Sequence, residues 1–590
     1  MFSVFFAILS VVHLVASSPS CRCTPRDPCW PSEGSWSALN HSVDGNLVKV
    51  LPVAHVCYHP TYDREKCDEI TILDHNSNWR ATQPGALQNF NWENLPSRHE
   101  SCYVNASGYE GGSCDYGRIS HFSVIAQNPT HIQKAVDFAR EHNIRLVVKN
   151  TGHDGSRSAA PDSFQILTNR LKDISFAEHF TPSHGPKELD YGPVVSFGAG
   201  VMSSELYEAG AAHGYSIIGA VYPTVGIAGG FFQGGGFSPA LSTMGGLGVD
   251  QVLEVEVVTA KGDIVIANDF HHKDLFWALR GGGGGTFGIV TRVTARVHPD
   301  VPAVIASLHF KMPQMDGSFW SIIQDLTTAV RNLSTDDTGG QYFLGREPDI
   351  NGASFANLTM FFYPDSLEMP AEAEEVLESF LEKLRAAGID YTYNVNTFPK
   401  ISSFLTIPFP FDIGGTGSIQ GNVLLSREFT YSQTGLSLMI DKLSKLEYEP
   451  GDMIEVNPVG GKVISNGNSI DSALHPGWRR SSLLLIHRRS FLPDFTAQEA
   501  AYNYLTNIVM PTLLSIEKKP LAVYLNLADP YQRDFQKLFW GANYRRLLKI
   551  KRKWDPYGLF VVRKGVGSEM WDEEGICRVI DVFKEPQFGN

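Results

Sequence analysis

The apolar pattern divides the chain into segments of different texture. Phe2 to Ala16 is almost purely apolar, with His13 its strongest interruption beside Ser3 and Ser10, and small residues follow at Ala16, Ser17 and Ser18. The run is too short to cross a bilayer and has the form of a signal peptide, expected over 1–18. No other stretch approaches about 18 uninterrupted apolar residues, so a soluble mature protein with no membrane partner is expected. Residues 19–114 are rich in Pro, Cys and Trp and show little periodicity. At Phe122 the texture changes. Phe122–Ala126 predicts a strand, Asn128-Pro129 a turn, and Thr130 with Gln133 a capping box. Ile132, Ala135, Val136 and Ala139 form the apolar stripe of the helix that follows, and Leu146–Val148 the next strand. This is a βαβ unit.

The alternation then stops. Short strands are expected at Val194–Phe197, Val252–Thr259, Ile264–Ala267 and Ile289–Val297, with a hairpin turn at Lys261-Gly262-Asp263. Helices are expected near 203–212 and 273–279. Further along, helical periodicity marks 318–331, 370–387 and 496–517, and strands are expected at Leu358–Tyr363, Leu483–His487 and Leu521–Leu527. Strands and helices in this order predict an α+β fold class of two domains.

Composition narrows the functional classes. The 590 residues include 49 Lys+Arg and 63 Asp+Glu, a net charge of −14, which argues against a nucleic-acid partner. The basic run Lys549–Lys553 is short and reads as a solvated helix face. All eight cysteines lie beyond the signal, at 21, 23, 29, 57, 67, 102, 114 and 577. In a secreted chain they read as disulfides, and no metal is expected. A metal site at Cys21, Cys23 and Cys29 is the rival reading, but no histidine follows at finger spacing. Seven cysteines precede 115, so if all are oxidised Cys577 must take one of them. Proximity favours Cys57–Cys67 and Cys102–Cys114, leaving Cys21, Cys23 or Cys29 for Cys577. Sequons at Asn40, Asn105, Asn332 and Asn357 fit glycosylation on a secretory route.

Glycine clusters between 226 and 288. The run Pro223-Thr-Val-Gly226-Ile-Ala-Gly229-Gly230-Phe-Phe-Gln-Gly234-Gly235-Gly236 is costly in backbone entropy unless a ligand or tight packing requires it. Consecutive amides there could converge on an anion such as a pyrophosphate, or the run could be a packing corner. A formal G-x-G-x-x-G at Gly283, Gly285 and Gly288 follows a helical segment and opens a strand, the reverse of a dinucleotide fingerprint, so NAD binding there is rejected. Thr151-Gly152-His153-Asp154-Gly155 leaves a strand, and its imidazole is either a turn histidine or a nucleophile.

Taken in order, Val147-Val-Lys-Asn-Thr-Gly-His153-Asp, Pro223-Thr-Val-Gly, the glycine run, Gly246-Leu-Gly-Val-Asp250 and Asp274-Leu-Phe-Trp-Ala-Leu-Arg-Gly-Gly-Gly-Gly-Gly-Thr-Phe-Gly288 resemble the vanillyl-alcohol oxidase / p-cresol methylhydroxylase flavoproteins. The nearest branch is the secreted fungal berberine-bridge-enzyme-like oxidases. The likeness is dense over 114–299 and returns at Asn526, Trp540-Gly-Ala-Asn543 and Trp554-Asp-Pro-Tyr-Gly-Leu-Phe560. It implies a disulfide-rich segment at 19–114, an FAD domain at 115–300, a substrate domain at 301–525 and a return to the FAD domain at 526–590. It also brings Cys577 back towards the N-terminal segment.

The resemblance implies a histidyl bond from His153 to the flavin 8α-methyl. Gly152, Asp154, Tyr222, Pro223, Thr224, Val225, Gly226, Gly229, Gly230, Gly234 and Gly235 would lie along the cofactor, with Asp250, Gly288, Ile289, Val290 and Asn543 also near it. Relatives often carry a second link from a cysteine at the position of Tyr222, so one covalent link is expected here. The His153 loop is about one residue shorter than in relatives. Tyr524 and Asn526 resemble a Tyr-x-Asn active-site element, where Tyr524 is either the base or a core tyrosine, and Leu527 stands where relatives have an acid. The implied activity is oxidation of a small molecule, with hydride passing to FAD and O2 as acceptor. A secondary metabolite is the first substrate class, an oligosaccharide the second, and a catalytically dead binding protein the other alternative.

Overall fold

The computed structural model describes residues 21–104, 113–334, 338–349, 352–408 and 412–579. The expected signal peptide and the Asn105 sequon lie outside them.

The first sheet has four strands: β1 (Leu47–Lys49), β2 (Phe122–Ile125), β3 (Arg145–Lys149) and β4 (Ser163–Leu167). Their order is β1-β2-β4-β3, with β2 and β3 both parallel to β4. The expected βαβ unit is present, with β4 inserted between its two strands. Its helix, Pro129–Glu141, is capped by Asn128, whose side chain accepts from the His131 amide, with Pro129 in the first turn. Asn128 thus takes the role expected of Thr130 and Gln133, because the proline's missing N–H and fixed φ suit the first helical position. Ile132, Ala135, Val136 and Ala139 are buried as the stripe requires. Trp36, on the helix Glu33–Ser42, stacks on Phe122 at 4.1 Å and closes the other face.

The second sheet, β5 (Ile174–Ala177), β6 (Val194–Gly198), β8 (Val252–Val258), β9 (Ile264–Asn268) and β10 (Ile289–Arg296), is antiparallel in the order β5-β6-β10-β8-β9. A short pair, β7 (Tyr215–Ser216) with β11 (His298–Pro299), flanks it. The third sheet contains β12 (Ala303–Met312), β13 (Thr338–Arg346), β14 (Ser354–Phe362), β15 (Tyr391–Phe398), β16 (Gly417–Ser426), β17 (Met453–Pro458) and β18 (Ser481–Phe491). Its order is β15-β12-β14-β13-β17-β18-β16, antiparallel throughout. The fold is α+β, as expected.

The two faces of the third sheet pack into different clusters. On β18, Leu483 and Leu485 join the large core. The alternate residues Leu484 and Ile486 pack instead with Phe237, Leu247 and Tyr524 of the glycine-rich half. Strand alternation therefore turns Arg488, two residues beyond Ile486, towards that half.

Two expected elements differ. The helix predicted over 496–517 runs from Phe495 to Tyr504, passes through a π turn at Leu505–Val509, and resumes over Met510–Leu514. Pro511 has no N–H to donate, and the wider turn absorbs the break in the ladder. The strand expected at Leu521–Leu527 is reduced to a bridge between Ala522 and Leu424, followed by a 3-10 turn at Leu525–Leu527. The Asn422 side chain replaces the missing ladder. It accepts from the Tyr524 amide at 2.7 Å and donates to the carbonyls of Tyr524 and Leu527, both at 2.9 Å.

Disulfides join Cys21–Cys577, Cys23–Cys29, Cys57–Cys67 and Cys102–Cys114. Cys21 therefore partners Cys577, and the thiols of the rival metal reading are consumed. Arg22 reinforces the closure by donating to Gly575 O at 3.0 Å. Among the sequons, Asn357 and Asn332 are exposed and Asn40 is half-buried.

Three buried histidines set the acid response. His487 is fully buried with neither ring nitrogen paired, and burial pushes it down to about 3. Burial likewise pushes His298 and His475 down to about 4. Each is neutral when folded and takes a proton near its ordinary value when unfolded. Their contribution is complete above pH about 6.5 and is lost as pH falls towards 4, at about 1.4 kcal/mol per histidine per unit. Melting temperature should therefore fall steeply between pH 6.5 and 4.5, and less steeply in His487→Leu; an unchanged slope in that variant would contradict the assignment.

Candidate active site

Three segments converge beside the polar face of the third sheet. The first is the loop after β3. Gly152 has φ +85°, and a Cβ there would meet Lys149 Cε at 3.1 Å and Leu87 Cα at 3.2 Å. Gln88 pins the loop, its amide donating to Gly152 O at 3.1 Å and its side chain to Thr151 O at 3.0 Å. Asp154 lies 3.3 Å from Arg157, and its carbonyl accepts from the amides of Arg157 and Ser158.

The second segment is the glycine run. Ser203 and Ser204, at the start of the helix Ser203–His213, anchor it by donating to Val225 O and Pro223 O, both at 3.0 Å. A Cβ on Gly226 would fall on Asn150 Oδ1, and one on Gly229 on the same amide. That Asn150 amide is itself fixed, donating to Thr168 Oγ1 at 2.9 Å and Ala199 O at 2.7 Å, while its buried Oδ1 has no partner among the described residues. A Cβ on Gly230 would meet nothing within 4 Å. Across from it lies Gly284, whose Cβ position is 3.3 Å from Gly229 O. The run is therefore a packing corner on its Asn150 side and open at Gly230.

The third is the Tyr524–Asn526 turn. A Cβ on Gly234 would fall on Asn526 Oδ1, and Asn526 donates to Phe231 O and to the Tyr524 hydroxyl, both at 3.0 Å. The same hydroxyl accepts from the Phe237 amide at 3.2 Å. Tyr524 is 2% exposed and edge-on to Trp478, with a Cβ on Gly235 (φ +123°) lying 3.4 Å from its ring. Burial pushes its phenol up. These contacts favour the core reading over the catalytic one: Tyr524 and Asn526 brace the glycine run from beneath.

The remaining candidates are more dispersed. Asp250 is buried. It accepts from Arg479 Nη2 at 2.6 Å and Nη1 at 2.9 Å, and from the Leu247 amide at 3.0 Å. It fixes the glycine-rich corner, and its side chain has no exposed surface. Gly288 immediately precedes β10, whose first residues are Ile289 and Val290, and all three are buried. Asn543 donates to Leu474 O at 2.8 Å, close to Gly235.

His153 and Tyr222 face each other, ring centres 6.1 Å apart. Burial pushes the imidazole down, and Asp412 opposes this. His153 Nε2 lies 2.7 Å from Thr224 Oγ1, and Asp412 accepts from the Thr224 amide at 2.9 Å and its hydroxyl at 2.7 Å. The Tyr222 hydroxyl accepts from Arg488 at 2.9 Å. The phenol pushes Arg488 up, and burial pushes the nearby Glu455 carboxyl up against the pull of Arg488. Asp412, Arg488 and Glu455 lie outside the motifs; nothing in their local sequence distinguishes them, because their partners are far away in the chain.

The arrangement suits a flavin dinucleotide. Glycines occupy positions that cannot carry a Cβ, and Gly230 leaves open space. The His153 imidazole, which burial pushes down, stands at one end. Fold and site together define an FAD-dependent oxidoreductase of the vanillyl-alcohol-oxidase type.

Comparison places the chain more closely. Residues 121–268 match the FAD binding domain family and 523–567 the berberine and berberine-like family. The chain is 48% identical over 577 residues to the FAD-linked oxidoreductase notD of Aspergillus sp. (strain MF297-2), covering 96% of this chain and 92% of that one. It is 43% identical over 559 residues to the FAD-linked oxidoreductase easE of Arthroderma otae (strain ATCC MYA-4605 / CBS 113480), covering 94% and 90%. The crystal structure of the VAO-type flavoprotein MtVAO615 from Myceliophthora thermophila C1 superposes with a TM-score of 0.81 at 28% identity, over 95% of this chain and all of that one. The chain belongs to the berberine-bridge-enzyme-like branch of this flavoprotein family.

Proposed function

We propose that the protein is a secreted oxidase of a small organic molecule, most simply a secondary metabolite, with FAD bound covalently through His153 alone. The observation that carries this reading is the placement of the His153 imidazole, its Nε2 2.7 Å from Thr224 Oγ1 at the end of the glycine cradle, where burial pushes it down and so favours the nucleophilic neutral ring. Tyr222 supports the single link, since a phenol in place of cysteine cannot form a thioether. When bound, FAD accepts a hydride at N5 and passes the electrons to O2 as H2O2.

The chain's own residues orient the substrate and move its proton. Arg488 donates to the Tyr222 hydroxyl and fixes the position of its oxygen, the atom that would accept the proton of a substrate O–H or N–H. Gln420 lies 3.3 Å from Arg488 and helps hold it. The test is a substrate panel read by oxygen consumption and H2O2 formation. Substrate-dependent H2O2 at one per product is expected; flavin that is reduced by substrate but ignores O2 would rule out the oxidase assignment. Tyr222→Phe should lower kcat by about 10²-fold with flavin content unchanged, and a change confined to KM would remove Tyr222 from proton transfer.

A further inference from the structure

We infer that Asp412, acting through Thr224, is the positioning residue that makes His153 ready to bond the flavin; this rests on the covalent reading above. Asp412 Oδ2 accepts both the Thr224 amide, at 2.9 Å, and the Thr224 hydroxyl, at 2.7 Å. A threonine hydroxyl has one hydrogen, and here the carboxylate takes it. The short contact between Thr224 Oγ1 and His153 Nε2, 2.7 Å, must then be made by a hydrogen on Nε2. The imidazole is fixed as the Nε2–H tautomer, its lone pair is on Nδ1, and Nδ1 is the bonding atom. The logic is that of a carboxylate orienting a histidine, with a hydroxyl interposed.

Asp412 is held for this task from outside the two halves it serves. Ser77 donates to Asp412 O at 2.9 Å, Asn76 bridges Ile413, and the Gly415 amide donates to Gln88 O at 2.9 Å. Gln88 also grips Gly152 and Thr151 beside His153. The 76–89 segment therefore clamps the histidine loop and the aspartate loop against each other. This gives the N-terminal segment a role in the site.

The step balances. The Nδ1 lone pair forms the N–C bond to the 8α-methyl carbon. That carbon loses one proton to solvent, and the electron pair of the broken C–H bond reduces the ring by two electrons, which O2 then removes. The positive charge left on the imidazole is stabilised through Nε2–H, Thr224 and the Asp412 carboxylate.

The test follows covalent incorporation in Thr224→Val, Thr224→Ser and Asp412→Ala, as flavin retained after acid precipitation against total flavin bound. Thr224→Val and Asp412→Ala should bind one FAD per chain but attach it about tenfold more slowly, as loss of one charge-assisted hydrogen bond implies. Thr224→Ser, which restores the hydroxyl, should recover the wild-type rate. Proton NMR of the histidyl-flavin released by hydrolysis should show Nδ1 substitution. An Nε2 link, a wild-type rate in Thr224→Val, or a serine variant as slow as the valine variant would overturn the inference. Wild-type protein that releases all its FAD in acid would instead overturn the covalent reading on which it rests.

Discussion

Gly226→Ala should leave the protein unable to hold FAD. The added Cβ would fall on Asn150 Oδ1, and the Asn150 amide cannot retreat because Thr168 and Ala199 hold it. Either the glycine run moves outward into the space of the cofactor or Asn150 abandons two buried hydrogen bonds. Overpacking of this kind costs about 1–3 kcal/mol, and each lost buried hydrogen bond adds about 1. Purified Gly226→Ala should be colourless, with less than a tenth of the wild-type flavin absorbance near 450 nm and a lower melting temperature. Gly230→Ala is the control: its Cβ meets no protein atom within 4 Å, so stability should be unchanged while flavin affinity falls. Flavin content near one per chain in Gly226→Ala would show that the cradle is not where the structure puts it.

Arg479→Ala should be among the most destabilising single changes. Asp250 has no exposed side-chain surface, and Arg479 supplies two of its hydrogen bonds. Removing the guanidinium leaves a buried carboxylate with only the Leu247 amide and Asn466, a loss of about 3–5 kcal/mol. The double variant Asp250→Asn with Arg479→Met removes the orphaned charge and should recover much of that loss. Denaturant unfolding of the three proteins decides it. A loss below about 1 kcal/mol in Arg479→Ala would mean that Asp250 is not tied to Arg479 in solution.

These results concern residues that the sequence describes unevenly. The His153 loop was legible because Gly152 and His153 are adjacent in the chain and follow a predictable strand. The parallel unit, the hairpin at Gly262 and the helices Pro129–Glu141, Ser203–His213, Lys273–Leu279, Gly317–Leu333 and Ala371–Ala386 were legible because periodicity is a local property. What fixes the histidine was not. Asp412 is 188 residues from Thr224, and an aspartate in a proline-rich loop carries no local mark. The Tyr-x-Asn spacing left Tyr524 as either a base or a core tyrosine, and its packing against Trp478 and its hydrogen bond from the Phe237 amide are visible only in the structure. The expected 521–527 strand failed for a similar reason: Asn422, about 100 residues away, supplies hydrogen bonds that a neighbouring strand would otherwise provide. The Cys577 partner was narrowed to three by counting, and the backbone pairing of residues 21–22 with 576–577 selects Cys21.

The proposed attachment of the flavin through His153 alone is decided by acid-precipitating the purified protein, digesting it and weighing the peptides. A yellow pellet, a colourless supernatant and the mass of one FAD on the peptide containing His153 are expected, with the Tyr222 peptide unmodified. FAD recovered wholly in the supernatant, or attached to any other residue, would contradict it.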